Sequence, residues 1–424
     1  MKSVAGLVCG LLFTVSAVLA ETEIRMWSAA DGSSTVEASL VDVGGGNVGL
    51  RKKDGSKITV PISKLSKEDQ NYIDEYLKQR KEAEVVEEPA AVPLNLPYEQ
   101  GKVVGPIEAA SDSHYLLYIP RSLKAGREVP LLFFTHSMGG SSYLLDQIVE
   151  GAEMNGWIMA ISIESKNGRG EGENLSCSEH AVDHILDTLP VDKDRLYFTG
   201  NSGGAASACV NYEQLDGYGL MPCIGYLPSG VPTPSGDCFI INGANDYNRY
   251  VSASLRKDVG KVGVQRFFEG GHNDAPGWLM TEGMTWLEGR FLAKKGRRFQ
   301  EEQLDYENAV IEWIGRLKEK EPYRAYYWAC FLQEELKLTE RNAARVAALV
   351  KELGADSTNR LYVEALDEID QFAVKVLSAF GSQSLYDHTD PSITAKCRDM
   401  LRDYQDVPVI AGLIEALSHK TVGN

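Results

Sequence analysis

Long apolar runs are scarce in this chain. Beyond residue 20 no stretch is hydrophobic over enough length to cross a bilayer as a helix, so a helical membrane domain after that point is excluded. Positive charge is short as well. The 43 Lys and Arg face 60 Asp and Glu, and the formal charge of −17 is spread along the chain rather than gathered in a tail. A nucleic-acid or anionic-membrane partner needs a basic patch, so neither is expected. Cysteine is rare, 7 in 424 residues, and no pair has Cys-x-x-Cys spacing, which removes the usual structural zinc site. His180 and His184 stand four apart on a predicted helix, but no carboxylate follows His180 in the zincin manner. They read as a solvated helix face, and no metal or cofactor is expected. A fixed repeat period is also missing, so a solenoid has no support.

What is present begins with a leader. Lys2, the apolar stretch Val4 to Val18 and the small-residue end Val18-Leu19-Ala20 form the pattern of a secretory signal over residues 1–20. A secreted or periplasmic protein is expected, with no transmembrane segment after cleavage. Six cysteines then remain: Cys177, Cys209, Cys223, Cys238, Cys330 and Cys397. An even count in an exported chain permits disulfides. Cys223 and Cys238 lie in neighbouring apolar runs and read either as a bridge or as two buried thiols.

Residues 24–66 alternate apolar and polar positions, with turns at Asp31-Gly32, Gly44-Gly45-Gly46 and Asp54-Gly55. Short strands of a small barrel are predicted there, followed by a helix from Leu65 with Ser66 as N-cap and Asp69 three residues on. Residues 81–100 mix acid and proline and read as a linker. From 101 to 296 strands and helices alternate, which predicts an α/β domain with a mostly parallel sheet and helices on both faces. The strands expected are His114–Ile119, Pro130–Thr135, Trp157–Ile163, Arg195–Thr199, Cys223–Leu227, Cys238–Asn242 and Gln265–Phe268. Several are continuous apolar runs, as buried parallel strands should be. From 297 to 424 only helical periodicity remains, so an all-α C-terminal domain is expected. The leader, a domain over 21–80, the linker, the α/β domain and the helical domain make up the expected organisation.

The most informative residues are Gly200-Asn201-Ser202-Gly203-Gly204, a G-x-S-x-G sequence between the apolar run Leu196–Thr199 and a small-residue helix start. A strand, a tight glycine turn and a helix form the nucleophile elbow of α/β-hydrolases. A serine hydroxyl needs a base, a group that orients the base, and amide donors for the oxyanion. Asp246 follows the strand Cys238–Asn242, and His272 follows the strand ending at Phe268. Both, like Ser202, stand just past the carboxyl end of a strand, where open α/β sheets place their sites. Asp237 precedes its strand, and Asp274 is too close to His272 in the chain to orient it well. Thr135-His136-Ser137-Met138-Gly139-Gly140 reads as the oxyanion loop, with the N–H groups of Gly203 and Met138 as donors and Ser137 as a lesser second source. The same loop makes Ser137 a rival nucleophile. Thr135 is β-branched where a small residue is needed, and residues 101–130 are too few to hold the strands an elbow requires. His136, Ser137, Asn201 and Trp278 are expected at the substrate pocket.

Two resemblances follow. Arg25-x-Trp27, Asp31-Gly32, Leu50-x-x-x-Asp54-Gly55, Val60-Pro61 and Leu65-Ser66-x-x-Asp69 resemble the SLA-one homology domain. That resemblance implies an SH3-like barrel and a protein or peptide as its partner. Val129-Pro130-Leu131-Leu132-Phe133, His136-x-x-Gly139-Gly140, Asp192-x-Asp194-Arg195-x-Tyr197, the elbow and Gly270-Gly271-His272 resemble the branch of α/β-hydrolases that holds polyhydroxybutyrate depolymerases and feruloyl or acetyl-xylan esterases. It implies the α/β-hydrolase fold, a triad of Ser202, Asp246 and His272, and a small-molecule or polymeric ester as substrate. Ser137 stands where that branch usually has glycine, which leaves the oxyanion geometry open. The expected function is an exported serine esterase acting through an acyl-enzyme. The alternatives are an envelope scaffold with a vestigial hydrolase fold, and a serine peptidase. The polar loop Lys166–Asn174 favours carbohydrate esters over long acyl chains.

Overall fold

A computed structural model describes residues 24–44, 47–84, 95–296, 298–381 and 390–419. The leader at 1–20, the turn at Gly45-Gly46 and much of the expected linker lie outside the described residues. The chain divides into two compact units, Met1–Val92 and Pro93–Asn424.

In the smaller unit β1 (Arg25–Ser28), β2 (Thr35–Gly44), β3 (Asn47–Lys52) and β4 (Lys57–Pro61) form an antiparallel sheet in chain order. A bridge between Ala29 and Leu65 returns the end of this meander to its beginning. Period-2 alternation places Ala38, Leu40, Val48 and Leu50 in one core around Trp27, whose Nε1 donates to the Ala38 carbonyl at 3.0 Å. Helix α1 (Lys67–Glu84) starts at Ser66, whose Oγ accepts from the Asp69 N–H at 3.2 Å and donates to the Asp69 carboxylate at 2.8 Å.

The larger unit is built on one sheet of eight strands. They are β5 (Val103–Ala110), β6 (Ser113–Tyr118), β7 (Val129–His136), β8 (Ile158–Ser162), β9 (Val191–Asn201), β10 (Gly219–Cys223), β11 (Asp237–Gly243) and β12 (Gly263–Phe268). Their order is β5-β6-β8-β7-β9-β10-β11-β12. β6 runs antiparallel to both neighbours, and the other pairings are parallel. Between the strands come α2 (Ser142–Asp146), α3 (Val149–Asn155), α4 (Glu171–Thr188), α5 (Gly203–Gln214) and α6 (Arg249–Val259), and after β12 comes α7 (Gly277–Lys295). Along β7 alternate residues enter opposite cores: Leu132 and Phe134 on the α3 and α7 side, Leu131 and Phe133 on the α4 and α5 side. Burial on both faces is why β7 reads as an unbroken apolar run.

The expected strand Cys223–Leu227 lies instead at Gly219–Cys223. Gly219 and Pro222 disguise it, since both are disfavoured inside strands, and Ile224 ends it with φ 47. The six described cysteines are all free thiols, Cys223 and Cys238 among them.

The C-terminal helices are α8 (Gln300–Leu317), α9 (Pro322–Glu335), α10 (Glu340–Leu353), α11 (Ser357–Lys375), α12 (Pro391–Tyr404) and α13 (Pro408–Ser418). They share cores with the sheet. Trp313, Trp328 and Phe331 continue the core that holds Phe239 and Trp286. Tyr362, Phe372 and Ile410 pack with Tyr250 of α6 and Phe267 of β12.

Candidate active site

The site is assembled at the carboxyl ends of β7, β9, β11 and β12. Ser202 caps the turn from β9 into α5 with φ 57 and ψ −122, a conformation that costs a non-glycine residue on the order of 1–3 kcal/mol. The turn is tight enough to require its glycines. A Cβ at Gly200 would meet the Gly204 carbonyl oxygen at 2.3 Å, and one at Gly204 would meet the Thr135 carbonyl oxygen at 2.3 Å. Both atoms are backbone and cannot step aside. The Ser202 N–H donates to the Cys223 carbonyl at 3.0 Å, which fastens the turn to β10.

Ser202 Oγ lies 2.8 Å from His272 Nε2, and His272 Nδ1 lies 2.9 Å from Asp246 Oδ1. Asp246 is wholly buried. Its Oδ1 also accepts from the Asn248 N–H at 2.9 Å, and its Oδ2 accepts from Asn242 Nδ2 at 3.1 Å. A buried carboxylate with these donors stays fixed beside the imidazole. The loops bearing Asp246 and His272 are stitched by the Asn245 N–H on the Gly270 carbonyl at 2.8 Å. Gly243 permits their approach, since a Cβ there would meet the Gly271 carbonyl oxygen at 2.2 Å. The ring of Tyr247 stacks on that of His272, centroids 4.3 Å apart.

A second cluster lies beside the first. His136 Nδ1 accepts the Met138 N–H at 3.1 Å, so the ring proton sits on Nε2 and is donated to Asp274 Oδ1 at 3.0 Å. Asn201 Nδ2 donates to the same oxygen at 3.0 Å. The His136 hydrogen bond, helped by that of Asn201, holds the Asp274 carboxyl below the usual aspartate range against the opposing effect of burial.

The second cluster corrects the expected oxyanion loop. Met138 spends its N–H on His136 and is not available as the second donor, while its side chain is 83% exposed at the rim. The Gly203 N–H, at the first position of α5, has no intrahelical acceptor. Ser137 is half-buried; its carbonyl accepts from the Asn167 N–H at 2.9 Å. Unlike Ser202, Ser137 does not adopt positive φ. His136 and Asn201 were expected at the pocket; they are buried, 7% and 1% exposed, and turned onto Asp274. Trp278 lies under the Arg324 guanidinium, 4.5 Å from its ring centre, and faces the helical segment. His184 Nδ1 is 3.1 Å from the Tyr115 hydroxyl. Sequence reasoning missed Tyr247 and the bond of Asp274 to His136. Tyr247 adjoins Asp246 in the chain, but nothing in the pattern marks it.

Comparison with known proteins gives one family match and several structural likenesses. Residues 19–81 match the SLA1 homology domain 1, SHD1. No curated protein matches the chain by sequence. Among solved structures, the chain is similar to Est1E from Butyrivibrio proteoclasticus at 14% identity and TM-score 0.35, over 43% of this chain and 96% of that one. It is similar to the S-formylglutathione hydrolase FrmB from Staphylococcus aureus at 10% identity and TM-score 0.37, over 46% and 99%. A third likeness is to Thermogutta terrifontis esterase 2 phosphorylated by paraoxon, at 13% identity and TM-score 0.35, over 48% and 98%. The strand order makes the fold argument by itself: one antiparallel strand, β6, in an otherwise parallel eight-stranded sheet, with the serine turn directly after β9. The chain therefore carries an SLA1 homology domain 1 at its N-terminal end, followed by a unit of the α/β-hydrolase fold.

Proposed function

We propose that the larger unit is a serine hydrolase that cleaves carboxylic esters. The observation that carries this reading is the relay Ser202 Oγ–His272 Nε2–Asp246 Oδ1, at 2.8 and 2.9 Å, on a strained turn. His272 Nε2 takes the Ser202 proton as Oγ bonds to the ester carbonyl carbon. The carbonyl oxygen becomes an oxyanion facing the Gly203 N–H, with the Ser137 N–H as the second donor. His272 then gives its proton to the departing alcohol, and an acyl-Ser202 remains. Water attacks that ester in the second half, with His272 again the base. Asp246 keeps the Nδ1 proton in place and stabilises the imidazolium.

Carbohydrate esters and polyesters are the proposed substrates, on the resemblance of the elbow and Gly-Gly-His segments to that esterase branch. Export belongs to the same proposal, and N-terminal sequencing of the mature protein is expected to begin at Glu21. The central test is Ser202→Ala. Hydrolysis of a short p-nitrophenyl ester is expected to fall by about 10⁶-fold, with the thermal midpoint unchanged or raised because alanine leaves no hydroxyl to hold. Turnover equal to that of the unaltered protein would remove Ser202 from the mechanism. A panel of acetylated, feruloylated and polyester substrates then ranks the acyl groups.

A further inference from the structure

Between edge strand β12, the start of α7 and helices α11 and α13 lies a cavity of about 240 Å³. Phe267, Leu279, Leu366, Val409 and Leu413 line it, and Arg266 stands among them. Arg266 is 7% exposed. It hydrogen-bonds only to the Gln265 carbonyl and the Tyr327 hydroxyl, each at 3.2 Å, and among the described residues it forms no ion pair. Three other buried arginines have a carboxylate partner. Arg195 meets Asp192 at 2.7 Å, Arg256 meets Asp370 at 2.7 Å, and Arg324 meets Glu282 at 2.8 Å. Arg249, without a carboxylate, donates to the Ala244, Leu417 and His419 carbonyls.

Two of the acids around Arg266 are hydrogen-bonded elsewhere. Asp370 serves Arg256 and the Gln265 N–H. Glu282, on the same cavity wall, accepts from Arg324 and Trp328. Asp367 and Glu269 are exposed, Glu269 at the cavity lining, and Asp370 and Asp367 act on Arg266 only through their fields. A buried guanidinium hydrogen-bonded only to neutral oxygens is costly to the fold, and an apolar cavity beside it is space that an anionic partner can fill.

We propose that this cavity binds a small amphipathic carboxylate, with an aliphatic or aromatic body in the apolar space and its carboxylate against Arg266. A planar guanidinium suits a carboxylate better than any other anion-binding side chain does. The N-terminal end of α7, at Trp278 and Leu279, lies on the same cavity, and its dipole favours the same charge. The volume suits one medium-chain or arylalkanoic acid. None of Ser202, Asp246 and His272 lines the cavity, so binding is measurable whether or not the chain is an esterase.

Octanoate and hydrocinnamate are the probes, followed on the full chain by tryptophan fluorescence, since Trp278 lines the cavity, and by thermal midpoint. Octanoate is expected to bind saturably and raise the midpoint, and octanamide to bind about tenfold or more weakly. Arg266→Met is expected to fold, because exchanging a buried charge that lacks an ion-pair partner for an apolar side chain is neutral or stabilising, and to lose the octanoate response. Leu413→Trp fills the cavity, leaves Arg266 in place and is expected to block both probes. Equal binding of octanoate and octanamide overturns the proposal. So does full octanoate binding by Leu413→Trp, or binding that vanishes when a fluorophosphonate occupies Ser202.

Discussion

Asp274 links two loops that lie far apart in the chain. Its Oδ1 receives His136 from the end of β7 and Asn201 from the end of β9, and it stands two residues beyond His272. A shift of Asp274 would therefore move the loop after β7 and the His272 loop together, and on the proposed mechanism Asp274 is a positioning residue. Asp274→Asn keeps the shape and removes the charge. It is expected to lower kcat/KM about tenfold, the scale of one hydrogen bond to a charged group, with most of the loss in kcat. The acid side gives a second readout. A carboxyl held below its ordinary 3.8 in the folded state contributes stability above that value, lost as pH falls through the depressed one. Denaturation midpoints of the unaltered and Asp274→Asn proteins should thus differ near neutrality and converge well below pH 3.8. A gap that stays constant with pH would show that the charge plays no part. Nothing in the sequence announces this cluster, because His136 and Asp274 are 138 positions apart and their pairing depends on how β7 and β12 are placed in the sheet. Ser202, Asp246 and His272 are easier to find, since each follows directly after a strand that burial makes apolar.

The same logic separates the elements that can be read from those that cannot. β7, β8, β9 and β11 are buried on both faces and stand out as apolar runs. β5 is an edge strand with partly exposed residues along its length, so its composition resembles a loop. β10 hides behind Gly219 and Pro222, and α13 behind its length of 11 residues. At the opposite edge, β12 is covered by α11. The Gln265 N–H of β12 donates to Asp370 at 2.7 Å, and the same carboxylate holds Arg256 of α6. A covered edge has no free ladder to offer another chain. Deleting residues 357–424 removes that cover and uncovers Tyr250 and Phe267, both buried in the intact protein. The shortened chain is expected to aggregate, read as loss of the soluble monomer in size-exclusion chromatography. A monomeric, cooperatively melting product would show that α11–α13 are dispensable.

Across the whole molecule, periodicity marks where helices follow strands, and composition marks an expected linker over 81–100. Periodicity does not reveal that the helices after Gly296 share cores with the sheet. Trp328 is wholly buried and donates to Glu282 of α7 at 3.2 Å, but in the sequence it is one aromatic on an amphipathic helix. The cysteines have a wider consequence. The six described thiols are unlinked, and burial pushes those of Cys209 and Cys223 up to about 12, where scarcely any thiolate exists to exchange. What holds the described residues together is therefore burial and hydrogen bonding, with no covalent cross-link among the six thiols.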